Sequence, residues 1–264
     1  MIEPYSAVGL IPTIRGISRR EEIAANLAHL HELTRAACWL TQLDLPVKLV
    51  AIPEGALQGF NDEILDLDHA AYARTCCIDI PGPETDTLGA FAREFGIHIA
   101  AQARARHPEI PERYFNVGIV IDPAGEIVLQ SYKIAPLYSS EHTISPHDIY
   151  DWWIERYGNT LDAFWPVADT AIGRIGILIA NDGSYPEHAR ALAMNGAEVI
   201  YRGPLPHPMT THDFGEIQNR ARALFDLALS QSNRPDPWRN AQQTLRLGAS
   251  AEAGGRSTRW DSRA

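Results

Sequence analysis

The sequence predicts a layered α/β fold, and three observations carry that prediction. Strand-like and helix-like stretches alternate along most of the chain, the pattern that stacks helices on sheets. The composition, 45% hydrophobic and 21% charged, is that of an ordinary globular protein and not of a disordered, collagen-like or coiled-coil chain. At 264 residues there is chain enough for one large domain or two small ones, with a sizeable core.

Tyr5 to Pro12 alternates polar and apolar residues like a strand. Ser18 and Glu21 have the spacing of a capping box ahead of a helix running to about Gln42. Its apolar face is Ile23, Leu27, Leu30, Leu33, Ala37 and Leu40, spaced as a one-sided helix requires. A buried strand follows at Val47 to Ile52. Leu88 to Phe95 reads as a helix stopped by Gly96, and Ile97 to Ala101 as the next strand. Phe115 to Ile121 and Ile127 to Ser131 flank Asp122-Pro123-Ala124-Gly125, a hairpin turn. Ala135 to Ala171 reads as loop-rich. Strand Arg174 to Ala180, helix Glu187 to Asn195, strand Glu198 to Tyr201 and helix Phe214 to Leu229 complete the series. The expected division is a domain over 1–230 and a tail over 231–264. The tail holds six Arg, and its large apolar residues are Trp238, Leu245, Leu247 and Trp260, too few to offset the entropy of ordering it.

A formal charge of -10 is the wrong sign for a partner held through phosphates, so nucleic acid is not an expected ligand. Cys38, Cys76 and Cys77 form no C-x-x-C pair, which fits a reducing cytoplasm better than a disulfide framework. The N-terminus lacks the pattern of a secretory signal and no apolar run is long enough to span a bilayer, so neither export nor membrane association is expected. The chain has no G-x-G-x-x-G and no phosphate loop, and no cofactor is expected. Only two lysines, Lys48 and Lys133, stand among 23 basic residues, so a role needing a compact ammonium has few candidates.

Three strands end on unusual polar groups, near Glu54, near Lys133 and around position 180, and ligands in open α/β sheets collect beyond such strand ends. Ala51-Ile52-Pro53-Glu54-Gly55-Ala56-Leu57-Gln58-Gly59-Phe60, Ser131-Tyr132-Lys133-Ile134 and Ile179-Ala180-Asn181-Asp182-Gly183-Ser184-Tyr185-Pro186-Glu187 resemble the three signature blocks of the nitrilase superfamily of carbon-nitrogen hydrolases, in the family's order and separations. Ala193-Met194-Asn195-Gly196-Ala197-Glu198 is most similar to the branch of aliphatic amidases and formamidases. The resemblance covers roughly residues 5 to 230 and implies an α-β-β-α sandwich, incomplete at the C-terminus, where the family continues into further strands.

In that family a Glu is the general base, a Lys holds the oxyanion, a Cys is the nucleophile, and a second Glu follows the Lys by eight residues. The resemblance maps these roles onto Glu54, Lys133 and Glu141, with the backbone N–H of Asn181 completing the oxyanion hole. An amide carbon needs such a soft nucleophile, a base and donors aimed at the developing charge. The family's Cys aligns with Ala180, whose methyl group cannot form a thioester. The implied protein is a hydrolase of small amides or nitriles that is inactive as written. The alternative is a non-catalytic small-ligand-binding or assembly subunit on the same scaffold. Substrate contacts are expected from Asn181, Tyr185 and Trp152. Trp152, Trp153 and Trp165 serve equally well as cover for a core or a subunit contact. Asp182 reads as a structural acceptor of loop amides, Cys76 and Cys77 as small core residues, Ser184 as too far past position 180 to stand in for the nucleophile, and His207 and His212 as polar loop residues. Family members pair through helices matching Glu187 to Asn195 and the one ending near Leu229, so a homodimer or larger homo-oligomer is expected.

Overall fold

Inward and outward alternation along a few central strands sets the layering of this protein. The structure, a computed structural model, describes residues 2–137, 140–203 and 217–224. A five-stranded sheet runs in the order β1 (Ser6–Gly9), β2 (Val47–Ala51), β3 (His98–His107), β4 (Ile110–Ile121), β5 (Ile127–Tyr132). The first three strands are mutually parallel, and β4 and β5 turn back antiparallel. A second sheet holds β6 (Val167–Thr170), β7 (Gly173–Ile179) and β8 (Val199–Gly203), with β7 parallel to β8.

In β2, Leu49 and Ala51 face the second sheet, while Val50 and, just past the strand, Ile52 face helices. The same split places Ala100 of β3 and Val120 of β4 between the sheets and Ile99, Ala101, Ile119 and Ile121 on the helix side. The second sheet answers with Ile175, Ile177, Ile179, Val199 and Tyr201. Gly118 of β4 permits this approach, since a Cβ there would lie 2.6 Å from Ile177 Cγ2. Outside the first sheet pack α1 (Ile23–Thr41) and α4 (Pro83–Phe95), with the short helices α2 (Asn61–Ile64) and α3 (His69–Thr75) near its edge. Two further helices, α5 (Tyr150–Tyr157) and α6 (Leu161–Phe164), add aromatic cover to that side. Outside the second sheet, Ala189 and Leu192 of α7 (Pro186–Met194) pack on Leu178. The layers are therefore helix, sheet, sheet, helix. A further helix covers 217–224, and among the described residues no helix is long and apolar enough to cross a membrane.

Several expectations from sequence need correction. The capping box at Ser18 and Glu21 does not form: the Ser18 N–H is taken by Glu22 Oε2 at 2.8 Å and a 3-10 turn over Arg20–Glu22 precedes α1. The apolar face of α1 ends early, because Leu40 is exposed along with Trp39 and Leu43 beyond it. Strand β3 runs on to His107 and pairs with a β4 that starts at Ile110, a hairpin hidden by the alternation of Gln102, Arg104 and Arg106 with alanines. The stretch read as loop contains α5, α6 and β6. Thr160 caps α6, its side chain accepting from the Ala163 N–H at 3.4 Å, and Trp153 Nε1 donates to Ala163 O at 2.9 Å. Of the helix read over Phe214 to Leu229, only 217–224 lies within the described residues, and the tail 231–264 lies outside them.

Candidate active site

The face between the sheets is graded in polarity. At one end β3, β4 and β5 present Ala100, Val120 and Leu129. Two and four residues along, in the same register, they present Gln102, Asn116 and Ser131, and then Lys133 just past β5. Gln102, Asn116, Ser131 and Lys133 are all buried. The turn after β2 brings Glu54 to this end, 4% exposed. Buried polar groups of this kind need partners, and Glu54, Gln102, Asn116 and Lys133 have them.

Lys133 Nζ donates to Glu141 Oε2 at 2.5 Å and lies 3.5 Å from Glu54 Oε1. Asn116 Nδ2 bridges the two carboxylates, donating to Glu54 Oε1 at 2.7 Å and to Glu141 Oε1 at 3.1 Å. Asn116 is oriented by Gln102, whose amide donates to its Oδ1 and whose own Oε1 accepts from the Gly55 N–H at 3.0 Å. Glu141 also accepts from Thr143 Oγ1 at 2.8 Å and from the Leu137 N–H at 2.9 Å. Burial alone would raise the Glu141 carboxyl, but the charges of Lys133 and Arg104 and these hydrogen bonds hold it down at about 2. For Lys133, burial would lower the ammonium, and the charges of Glu54 and Glu141 outweigh it and raise it. Both groups stay charged across the neutral range.

Residue 180 sits at the end of β7, where the chain enters a 3-10 turn over Ala180–Ser184. Ala180 has φ +43°, in the left-handed region that costs an alanine roughly 1 kcal/mol or more. The turn is tied to the chain just after Lys133. Asp182 Oδ1 accepts from the N–H groups of Ile134 at 3.2 Å and Ala135 at 2.7 Å, and Asp182 Oδ2 from that of Ile179 at 3.3 Å. Asn181 Nδ2 donates to Ala135 O at 3.0 Å. Position 180 is thus held beside the end of β5 in a sharp elbow whose strain a methyl group does nothing to repay.

Glu54, Lys133 and Glu141 meet, and the elbow carrying Ala180 and Asn181 is bonded to the same strand end. Tyr185 follows the elbow, is 47% exposed and lies against His188. Trp152 sits elsewhere, on the helix side of the first sheet, edge-on to His107 with its ring centroid 5.2 Å away and beneath the Arg156 guanidinium. Cys76 and Cys77 are also packed on the helix side, where burial pushes both thiols up. His207 and His212 lie outside the described residues. Among the described residues no group of three or more His, Cys, Asp or Glu could hold a metal ion. Sequence reasoning missed Asn116, Gln102 and Thr143, which bond the carboxylates or orient the group that does. It also missed Tyr201, a buried residue of β8 whose hydroxyl donates to Ile52 O, just before Glu54. Polar residues in strands otherwise apolar were the available signal.

A sequence model of the family described as "Carbon-nitrogen hydrolase" matches residues 9–225. Among curated proteins, a formamidase of Bacillus thuringiensis (strain Al Hakam) is 29% identical over 157 residues, 59% of this chain and 41% of the relative. A formamidase of Bacillus cereus (strain AH820) aligns to the same extent. The matched stretch thus spans less than half the length of these relatives. Among solved structures, Saccharomyces cerevisiae Nit3, a member of branch 10 of the nitrilase superfamily, is similar with TM-score 0.61 at 19% identity, covering 83% of this chain and 72% of that one. An amidase from Nesterenkonia sp. gives TM-score 0.56 at 19% identity, with 81% and 70% covered. A cysteine-to-alanine variant of the Nesterenkonia sp. AN1 amidase, in complex with butyramide, gives 0.57 at 19%, with 80% and 70% covered. At these identities the likeness to solved structures carries the fold alone.

Proposed function

The chain belongs to the carbon-nitrogen hydrolase family, and from that premise we propose that it is an amidase-type member that binds small amides but does not turn them over. Glu54 is the general base, Lys133 the oxyanion donor and Glu141 the group that fixes and assists Lys133. Asn181 contributes its backbone N–H to the oxyanion hole. The nucleophile's place is taken by Ala180. Tyr185 and Trp152 are the remaining substrate contacts of the reading; Tyr185 at the elbow suits it better than Trp152, which lies among the helix-side aromatics.

The observation that carries the reading is the elbow at Ala180, φ +43°, beside an intact Glu54–Lys133–Glu141 set. Strained turns of this kind cluster at functional sites, and on this reading the side chain carried there is a methyl group. Covalent catalysis by a nucleophile and its partners collapses when the nucleophile alone is removed. The purified chain is expected to release no ammonia from formamide or butyramide while binding butyramide, as line broadening or saturation transfer in NMR would report. Ammonia release that survives both Glu54→Gln and Lys133→Ala would overturn the assignment of the site. If neither binding nor turnover is found, the ligand-binding alternative falls as well, leaving a subunit of an assembly.

The reading extends to a cytoplasmic, self-associating protein. Three free cysteines fit a reducing compartment, and Met194 and Ile217, exposed on α7 and on 217–224, suit a two-fold contact through those helices. A monomer in sedimentation at micromolar concentration would exclude it.

A further inference from the structure

The charged set of the proposed site does not lean on the side chain at position 180. Glu54 is bonded by Asn116, Lys133 is paired with Glu141, and Glu141 is fixed by Thr143 and the Leu137 N–H. The elbow is kept by the Asp182 carboxylate and by Asn181. Ala180 itself is partly exposed. The room a missing thiol leaves is of the order of one water molecule.

We propose that the chain keeps a second hydrolytic activity: direct attack of water on activated acyl groups, aryl esters above all, with Glu54 as general base and Lys133 as oxyanion donor. The inference rests on the site assignment above. The water oxygen forms its bond to the acyl carbon as its proton passes to Glu54. The carbonyl π pair moves onto oxygen, where the Lys133 ammonium and the Asn181 N–H meet the new charge. Collapse re-forms the carbonyl and breaks the ester bond, and the aryloxide leaves with the bonding pair. Glu54 returns its proton to solvent or to the aryloxide. The products are a carboxylic acid and a phenol, and no acyl group is ever carried by the protein.

Aryl esters are singled out because their leaving group departs unprotonated. An amide must expel an amine that needs a proton first, and the thioester that divides that barrier is denied by Ala180. A site stripped of its nucleophile still retains about 1000-fold catalysis over water through its oxyanion donors and binding. The pairing of Lys133 with Glu141 keeps the donor charged at neutral pH.

The test is the hydrolysis of 4-nitrophenyl acetate by the full chain. Saturable turnover about 1000-fold above buffer is expected, with a loss of about 100-fold in Glu54→Gln and a comparable loss in Lys133→Met. Butyramide should inhibit competitively in the unaltered chain, a measurement that needs no variant to fold. Intact mass taken during turnover should show no acetylated protein. Equal rates in both folded variants, or an acetylated protein, would assign the hydrolysis to a surface nucleophile and overturn the inference. Butyramide binding without ester hydrolysis would sink this inference alone, whereas absence of butyramide binding would sink the site assignment beneath it.

Discussion

A buried carboxylate survives only if its charge is answered, and Glu141 is answered by Lys133, Asn116, Thr143 and a backbone N–H. Its carboxyl sits near 2 against an ordinary value of 4.5. A lowered native value means that this group's contribution to stability is present above about 4.5 and lost as pH falls from there through about 2. Thermal melts of the unaltered chain should therefore drop faster below pH 4.5 than those of Glu141→Gln; parallel curves would mean the carboxylate is not held as described. Lys133, raised, is the opposite case: its contribution is present below 10.5 and lost only as pH climbs past its native value. The residue most open to repair is Ala180. In Ala180→Cys the new thiol would stand near the Lys133 cation, a setting that favours thiolate. Iodoacetamide at pH 7 should label it at least about tenfold faster than Cys38, whose thiol burial pushes up. Equal labelling would mean that position 180 does not face the charged set. Glu54 and Lys133 were picked out in sequence by the short blocks around them and Glu141 by its spacing of eight residues from Lys133, and the three side chains meet. Asn116 and Gln102 were passed over, because a polar residue in an apolar strand signals only that something there needs a partner, and the sheet must show which face and which partner.

At the scale of elements, the strands that end at the site were the easiest to read, since β2 and β7 are nearly continuous apolar runs. The elements that were lost had mixed faces. Strand β3 alternates alanine with Gln102, Arg104 and Arg106, and its polar row serves the site and the Arg104–Asp62 pair at 3.1 Å instead of the core. Helices α5 and α6 are short and are fixed by aromatic contacts such as Trp153 against Tyr132, 4.9 Å between centroids, which no local pattern announces. The contact between β4 and β7 offers a direct test of the layering. Gly118→Val would drive its Cβ toward Ile177 Cγ2, a 2.6 Å approach, and should cost about 1–3 kcal/mol in urea unfolding. A neutral result would mean the two sheets are not packed as closely as their isoleucines indicate.

For the molecule as a whole, composition still carries the account of 231–264, which lies outside the described residues. Its four large apolar side chains could contribute about 1.5–3 kcal/mol each, against an ordering cost of about 1–2 kcal/mol for every residue. Trypsin should cut first at Arg239, Arg246 and Arg256, the bond before Pro235 being resistant; protection of those sites would show that the segment packs. The graded face between the sheets has a consequence for inheritance. Cohesion comes from Leu49, Val120, Ile175 and their neighbours at one end, while the charged groups and the elbow occupy the other. A substitution at position 180, which only borders the apolar cluster, leaves Leu49, Val120 and Ile175 in place, so quality control in the cell, which senses misfolding, would have little to detect. A chain so altered would persist or disappear according to what the proposed site is worth to the organism, and the fold itself casts no vote.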